Sequence, residues 1–272
     1  MDSVWVNQQP LQHVSALDRG LAYGDGLFAT MRTYQGNVLL LSEHVARLKQ
    51  SAERLHLSWQ PHQKLIEHIQ HVAQQFPNHC LKLVVTRGEG GRGYAAPEQS
   101  LFTEVLSAHD LPSHYSKWQQ QGIAIQSSKV TLGHQPLLSG VKHLNRLEQV
   151  LIKSQQLVAP YQDWLVCDNS GNVIESSMAN IFAVIGNEVI SPALNQTGVA
   201  GVTRERLIQH LLSAGFNVKL QPMTLEHFAK CDHVFLTNSL FHIVDVIAID
   251  DYEFKMWPKS PSFREKLLKH NE

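Results

Sequence analysis

Ser139-Gly140-Val141-Lys142-His143-Leu144-Asn145-Arg146-Leu147-Glu148 is the stretch whose reading decides this chain. A lysine stands between a Gly-bearing loop and an amphipathic run. Leu144, Leu147, Val150 and Leu151 recur at helical spacing, so a helix is expected over 143–158 with these side chains on one side. A lysine that acts as a Schiff-base nucleophile must be held rigidly and must lose its proton easily, which partial burial promotes. A lone lysine at a helix start is far more often a solvated residue. Its company elsewhere in the chain decides.

Thirty-three residues on, Glu175-Ser176-Ser177-Met178-Ala179-Asn180-Ile181-Phe182 places an acid at a strand end, before a small-residue turn into another strand. Farther along, Gly198-Val199-Ala200-Gly201-Val202-Thr203-Arg204 leads into a helix expected over 201–213. The first backbone N–H groups of that helix and the Thr203 hydroxyl make a natural phosphate site. Taken singly, Glu175 reads as an exposed strand-end carboxylate and the second segment as a capped helix.

Composition bounds the rest. The 272 residues suit two domains or one large one, and 43% hydrophobic residues supply enough apolar material for a core. Lys plus Arg number 23 against 24 Asp plus Glu, a net charge of -1 that offers no basic surface for nucleic acid. The 16 His form no HExxH, and no Cys lies close enough to join them, so no metal site is expected. Three Cys, widely spaced, suit a reducing compartment. No signal peptide is read in MDSVWVNQQP, and no apolar run reaches the ~18 residues of a membrane span. A cytoplasmic protein acting on a small molecule is the expectation.

Periodicity gives two α+β halves. The first has strands near 4–8, 27–34, 38–41, 80–87 and 101–109, with helices from Ser42, as N-cap, and over 61–75. The second has many short strands, helices over 143–158, 201–213 and 262–269, and no internal repeat. Pro112 and the polar residues after it mark the boundary, giving an N-terminal domain over 1–112, a linker over 113–121 and a larger domain over 122–272.

Gly88-Glu89-Gly90-Gly91-Arg92-Gly93 satisfies G-x-G-x-x-G, the dinucleotide fingerprint. That reading fails here, because Pro97 sits where the required helix should continue. A flexible loop beside a site, or a plain hairpin connection, fits better.

Together these segments resemble the fold-type IV pyridoxal-phosphate enzymes, the class IV aminotransferase family. It includes branched-chain and D-amino acid aminotransferases and aminodeoxychorismate lyases. Ser15-Ala16-Leu17-Asp18-Arg19-Gly20-Leu21-Ala22-Tyr23-Gly24-Asp25-Gly26-Leu27-Phe28 is similar to the family's N-terminal signature. His44-Val45-Ala46-Arg47-Leu48 resembles its phosphate-arginine helix, and Thr237-Asn238-Ser239 a later phosphate turn. The resemblance implies a two-domain α+β fold like that of D-amino acid aminotransferase, with pyridoxal 5'-phosphate as cofactor. It implies Lys142 as the Schiff-base lysine, Glu175 as the carboxylate facing the pyridine nitrogen, and Arg47, Val202, Thr203 and Ser239 as phosphate ligands. Most of that site would lie in the C-terminal domain. It also implies a homodimer in which one chain's N-terminal domain helps wall the pocket near its partner.

Within the family, Arg87-Gly88-Glu89-Gly90-Gly91-Arg92-Gly93-Tyr94 and Lys142-His143-Leu144-Asn145-Arg146-Leu147-Glu148-Gln149 resemble the lyase members. Branched-chain aminotransferases usually carry small residues where this chain has His143 and Leu144. The resemblance therefore implies release of pyruvate and 4-aminobenzoate from 4-amino-4-deoxychorismate, a step of folate biosynthesis. An aminotransferase acting on branched-chain or D-amino acids is the alternative. Arg32, Arg92 and Arg146 are candidates for the substrate's carboxylates and Tyr94 for the pocket, with Arg146 left out because a solvated helix residue is its alternative reading. Ala29 departs from the Glu that many relatives carry there, which leaves the pocket's first strand less certain.

Overall fold

The computed structural model describes residues 3–269, and the chain divides into two units. The first comprises residues 3–111 together with Val141–Asn145, and the second comprises Pro112–Gly140 and Arg146–Lys269.

The first unit contains β1 (Ser3–Val6), α1 (Arg19–Tyr23), β2 (Gly26–Tyr34), β3 (Asn37–Val38), α2 (Leu41–Arg54), α3 (Gln63–Gln75), β4 (Cys80–Thr86) and β5 (Thr103–His109). Its strands form an antiparallel five-stranded sheet in the order β1-β5-β4-β2-β3. Strand alternation sorts β2 into two faces. Leu27, Ala29, Met31 and Thr33 are buried, while Phe28, Thr30, Arg32 and Tyr34 stand half-buried on the other face. The buried face meets Leu48 and Ala52 of α2 and Leu65, Ile69 and Val72 of α3 in one core.

Both helix starts differ from the sequence reading. Helix α2 opens at Leu41, and its N-cap is Leu40, in the left-handed region at φ 55° with no side-chain cap. Ser42 instead donates its hydroxyl to Glu43, 2.8 Å away. Helix α3 is capped by His62, whose Nδ1 accepts from the Leu65 N–H at 3.2 Å.

The second unit contains α4 (Tyr115–Gln121), β6 (Ile123–Ser127), α5 (Leu147–Ser154), β7 (Tyr161–Cys167), β8 (Val173–Ser176), β9 (Asn180–Ile185) and β10 (Glu188–Pro192). Then follow α6 (Val202–Ser213), β11 (Asn217–Gln221), a 3-10 helix (Leu225–Lys230), β12 (His233–Asn238), β13 (His242–Ile249), β14 (Tyr252–Glu253) and α7 (Ser260–Leu268). The sheet runs β11-β10-β9-β12-β13-β6-β7-β8, and β8 pairs again with β9. Six strands therefore close on themselves, and the closing pair is Glu175 with Asn180. Closure removes the edges that β8 and β9 would otherwise expose. Ile125, Leu165, Val173, Ile181, Val234, Leu236 and Val246 pack in one core. Alternate residues Phe182, Val184 and Phe235 pack with Leu207 and Leu211 of α6 and Phe263 and Leu267 of α7.

Three expectations need correction. The linker over 113–121 is instead mostly helix α4, within the second unit, where Trp118 and Tyr115 pack against its core. The domain over 122–272 is interrupted, because Val141–Asn145 belongs to the first unit. The helix over 143–158 shrinks to α5, and its apolar stripe faces out. Leu147, Val150 and Leu151 are 76%, 56% and 57% exposed, and only Ile152 is buried. Helical period shows that a stripe exists; it does not say what covers it. Among the described residues, no helix is long and apolar enough to cross a membrane.

Candidate active site

The lysine segment is held as an added strand. Phe28 donates its N–H to the Lys142 carbonyl at 2.9 Å, Leu144 donates to the Gly26 carbonyl at 3.0 Å, and His143 bridges Leu27. Asn145 Nδ2 donates to the Gly24 carbonyl at 3.1 Å. Glycine is required at position 26, where a Cβ would lie 2.4 Å from the Val85 carbonyl oxygen and 2.8 Å from Leu144. These bonds fix the backbone of Lys142 and leave its side chain half-buried, with Nζ 4.6 Å from the centroid of the Phe28 ring.

Helix α2 adds Arg47, half-buried and one turn beyond His44. His44 is fully buried, and its Nδ1 has no hydrogen-bond partner. Burial first, then the charges of Arg47 and Lys142, push its proton affinity well below the histidine norm, so it is a neutral imidazole. Arg32 lies on the half-buried face of β2, where burial lowers its pKa and Tyr34 opposes the shift.

The N-terminal signature explains itself as a clamp on the Gly-rich loop. Asp18 accepts from the Gly20 N–H at 2.7 Å and from Thr86 Oγ1 at 2.9 Å. Buried Arg19 donates to three successive carbonyls, those of Gly93 (3.1 Å), Tyr94 (2.9 Å) and Ala95 (3.2 Å). Asp25 Oδ2 accepts from Arg19 and Arg87, each at 2.8 Å. Burial works to raise the Asp25 pKa, but the bonds from Arg87 and Arg19 outweigh it and the carboxyl stays below its usual range. Arg92 and Tyr94 stand exposed on this loop, Tyr94 by 87%, and join no buried cluster of the unit.

The second unit gathers Glu175, Val202, Thr203 and Ser239. Glu175 is buried where the barrel closes, and its Oε2 accepts from the Val199 N–H at 3.0 Å. Asn180, its strand partner, donates Nδ2 to the Val199 carbonyl at 2.8 Å. One pair of residues thus carries both the carboxylate and the turn that leads into α6. Two glycines permit that turn. Gly198 has φ +90° with Ile174 and Leu194 within 2.8 Å of a would-be Cβ, and at Gly201 a Cβ would meet Asn180 Oδ1 at 2.2 Å.

Helix α6 begins at Val202 with Gly201 as N-cap and no side-chain cap. Its first N–H groups have no partner within the helix and carry the positive end of its dipole. Thr203 Oγ1 lies 3.5 Å from Ser239 Oγ. Ser239 is set by Asn238, whose Oδ1 accepts from the Leu240 and Phe241 N–H groups at 2.9 Å each. Thr237 Oγ1 is buried without a hydrogen-bond partner. An uncapped helix start beside the Thr203 and Ser239 hydroxyls, with the orphaned Thr237 hydroxyl two residues before Ser239, suits a bound phosphate.

Arg146 is not the solvated residue expected from the sequence. It is half-buried at the start of α5, where burial lowers its pKa and Glu175 and Glu148 oppose the shift. Sequence reasoning also missed Asn180 and His44 as parts of the site. The only signal for Asn180 was its place at the strand start after the small-residue turn, and for His44 its spacing of one turn from Arg47.

Residues 26–249 match the model of the amino-transferase class IV family, and the chain belongs to that family. It is similar to the aminodeoxychorismate lyase of Vibrio harveyi, 33% identical over 252 residues that cover 93% of each chain. The structure is similar to the crystal structure of 4-amino-4-deoxychorismate lyase from Pseudomonas aeruginosa, with TM-score 0.93 and 34% identity over 98% of this chain and 99% of that one. A putative branched-chain-amino-acid aminotransferase of Methanocaldococcus jannaschii is 32% identical, covering 87% of this chain and 83% of its own.

Proposed function

We propose that this protein is a pyridoxal-phosphate-dependent carbon–oxygen lyase that converts 4-amino-4-deoxychorismate to 4-aminobenzoate and pyruvate, for folate biosynthesis. The observation that carries the reading is the 0.93 TM-score over nearly all of both chains to a lyase at 34% identity.

Lys142 would be the residue that holds the cofactor covalently, and its amine would act as the base toward the substrate's C4 proton. Arg47, Val202, Thr203 and Ser239 would hold the phosphate, with charge-assisted bonds from Arg47. When bound, pyridoxal 5'-phosphate supplies the electron sink. Glu175 would pair with the ring nitrogen and favour its protonated form, its Oε2 already accepting from the Val199 N–H. Arg32 and the loop residues Arg92 and Tyr94 serve the substrate, whose two carboxylates call for cations. Departure of the enolpyruvyl group aromatises the ring, which draws the reaction forward.

The working unit is a homodimer in the cytoplasm. Support for the dimer comes from the uncovered stripe of α5, with Leu137 and Val158 of the same unit also exposed.

The test is purified protein with aminodeoxychorismate and no added oxo acid. Equal release of pyruvate and 4-aminobenzoate over many turnovers is expected, with the cofactor ending as the aldehyde. The 32% identity to a putative branched-chain aminotransferase favours a second reading. It predicts a single turnover that leaves the cofactor as the amine, with activity restored by a 2-oxo acid.

A further inference from the structure

Phe28 carries two cations. Lys142 Nζ lies 4.6 Å and Lys82 Nζ 5.2 Å from the centroid of the same ring. The two ammonium groups are therefore at most about 10 Å apart. Register puts Lys82 there: it stands opposite Thr30 in the β2–β4 pair, half-buried, on the face that also holds Phe28 and Arg32. No motif in the sequence pointed to it.

We propose that Lys82 is a positioning residue for Lys142: by sharing the Phe28 ring, its ammonium disfavours a second ammonium at Lys142 and enlarges the fraction present as free amine. The free amine is the nucleophilic form, and a neighbouring cation is one of the known ways to obtain it. At an effective dielectric of about 20, unit charges at this separation shift a titration by about one pH unit. Other groups share this neighbourhood: on α2, uncharged His44 feels both Lys142 and Arg47, which is a cation like Lys82, and Arg32 stands on the same half-buried face of β2 as Phe28. The inference rests on Lys142 being the attachment lysine.

The experiment is pulse acetylation of the full-length protein, freed of cofactor, across a pH series, with Lys142 followed by peptide mass spectrometry. Exposed Lys49 serves as the internal reference. Lys82→Met removes the charge and keeps the length; Lys82→Arg keeps the charge; Lys82→Gln is the second neutral variant should Lys82→Met fold poorly. Both neutral variants should raise the pH midpoint of Lys142 labelling by about one unit, the Arg variant should leave it in place, and the gap should shrink in molar salt. An unchanged midpoint in the neutral variants overturns the proposal, and so does a rise in KM alone, which would make Lys82 a plain substrate contact. Failure of the attachment reading would show separately, as borohydride-fixed cofactor on a lysine other than Lys142, because the labelling midpoint is defined whether or not Lys142 binds the cofactor.

Discussion

Lys142 and Glu175 are held in opposite ways. The lysine's carbonyl accepts from β2 and Leu144, two residues on, donates to β2, while the lysine side chain rests half-buried against the face of Phe28. The carboxylate is buried in the strand that closes a barrel and accepts a backbone N–H. A proposed nucleophile that must detach and move a proton needs a fixed root and a mobile tip. A proposed counter-charge must not move at all, because any relaxation would weaken its hold on a proton.

Four measurements would break or sharpen that contrast. The largest effect is expected at Lys142. Lys142→Ala should cost about a thousandfold or more in turnover, on the scale of lost base catalysis, while cofactor still binds through its phosphate. Borohydride trapping followed by peptide mapping checks the assignment, and label fixed elsewhere would remove it. Glu175→Gln keeps the shape and removes the charge. Turnover should fall about a hundredfold, equivalent to ~2.7 kcal/mol, with little change in cofactor retention. Unchanged turnover would make the carboxylate structural only, and the contrast would dissolve.

The third test concerns the stripe that α5 leaves uncovered. Paired Leu147→Asp and Leu151→Asp should give a folded monomer in sedimentation, with circular dichroism unchanged because both side chains are already exposed. A dimer that persists would move the interface elsewhere. The smallest effect lies far from the chemistry, at Asp245. This residue is fully buried, with Oδ1 accepting from Trp257 and Ser260 and Oδ2 unpartnered. Burial raises its pKa, against the pull of Ser260, Trp257, Arg264 and His233. A carboxyl whose folded pKa is raised favours folding while protonated, and that contribution is lost as pH rises through the folded value. Asp245→Asn should therefore gain ~2–4 °C in Tm at pH 8 relative to the parent and nothing near pH 4. A Tm difference that is flat with pH would show that the carboxylate is fully compensated.

Legibility in the sequence differed between these regions for a physical reason. The strand near 27–34 and the helices from Ser42, over 61–75 and over 201–213 depend on local period, and each appears close to its expected place. The Gly-rich loop, between β4 and β5, is followed by no helix, as Pro97 implied. Its attachment to Arg19, however, joins residues more than seventy positions apart, and no spacing rule reaches that far. The stripe of α5 was visible as a stripe, but its outward direction was not. Arg146 looked solvated because sequence shows neither Glu175 nor burial beside it.

By itself, then, the sequence determined the alternation of two α+β halves, the glycines of the turn before α6, and the chemical types at Lys142, Glu175 and Thr203. Each is a property of a residue or of a short run, where backbone sterics and side-chain chemistry act locally. Only the tertiary structure decided that Val141–Asn145 belongs with the first unit, that Glu175 pairs with Asn180 to close the barrel, and that Lys82 and Lys142 share one ring. Those outcomes depend on which distant strands pair and in what register, and a shift of one residue would turn each of these side chains to the opposite face.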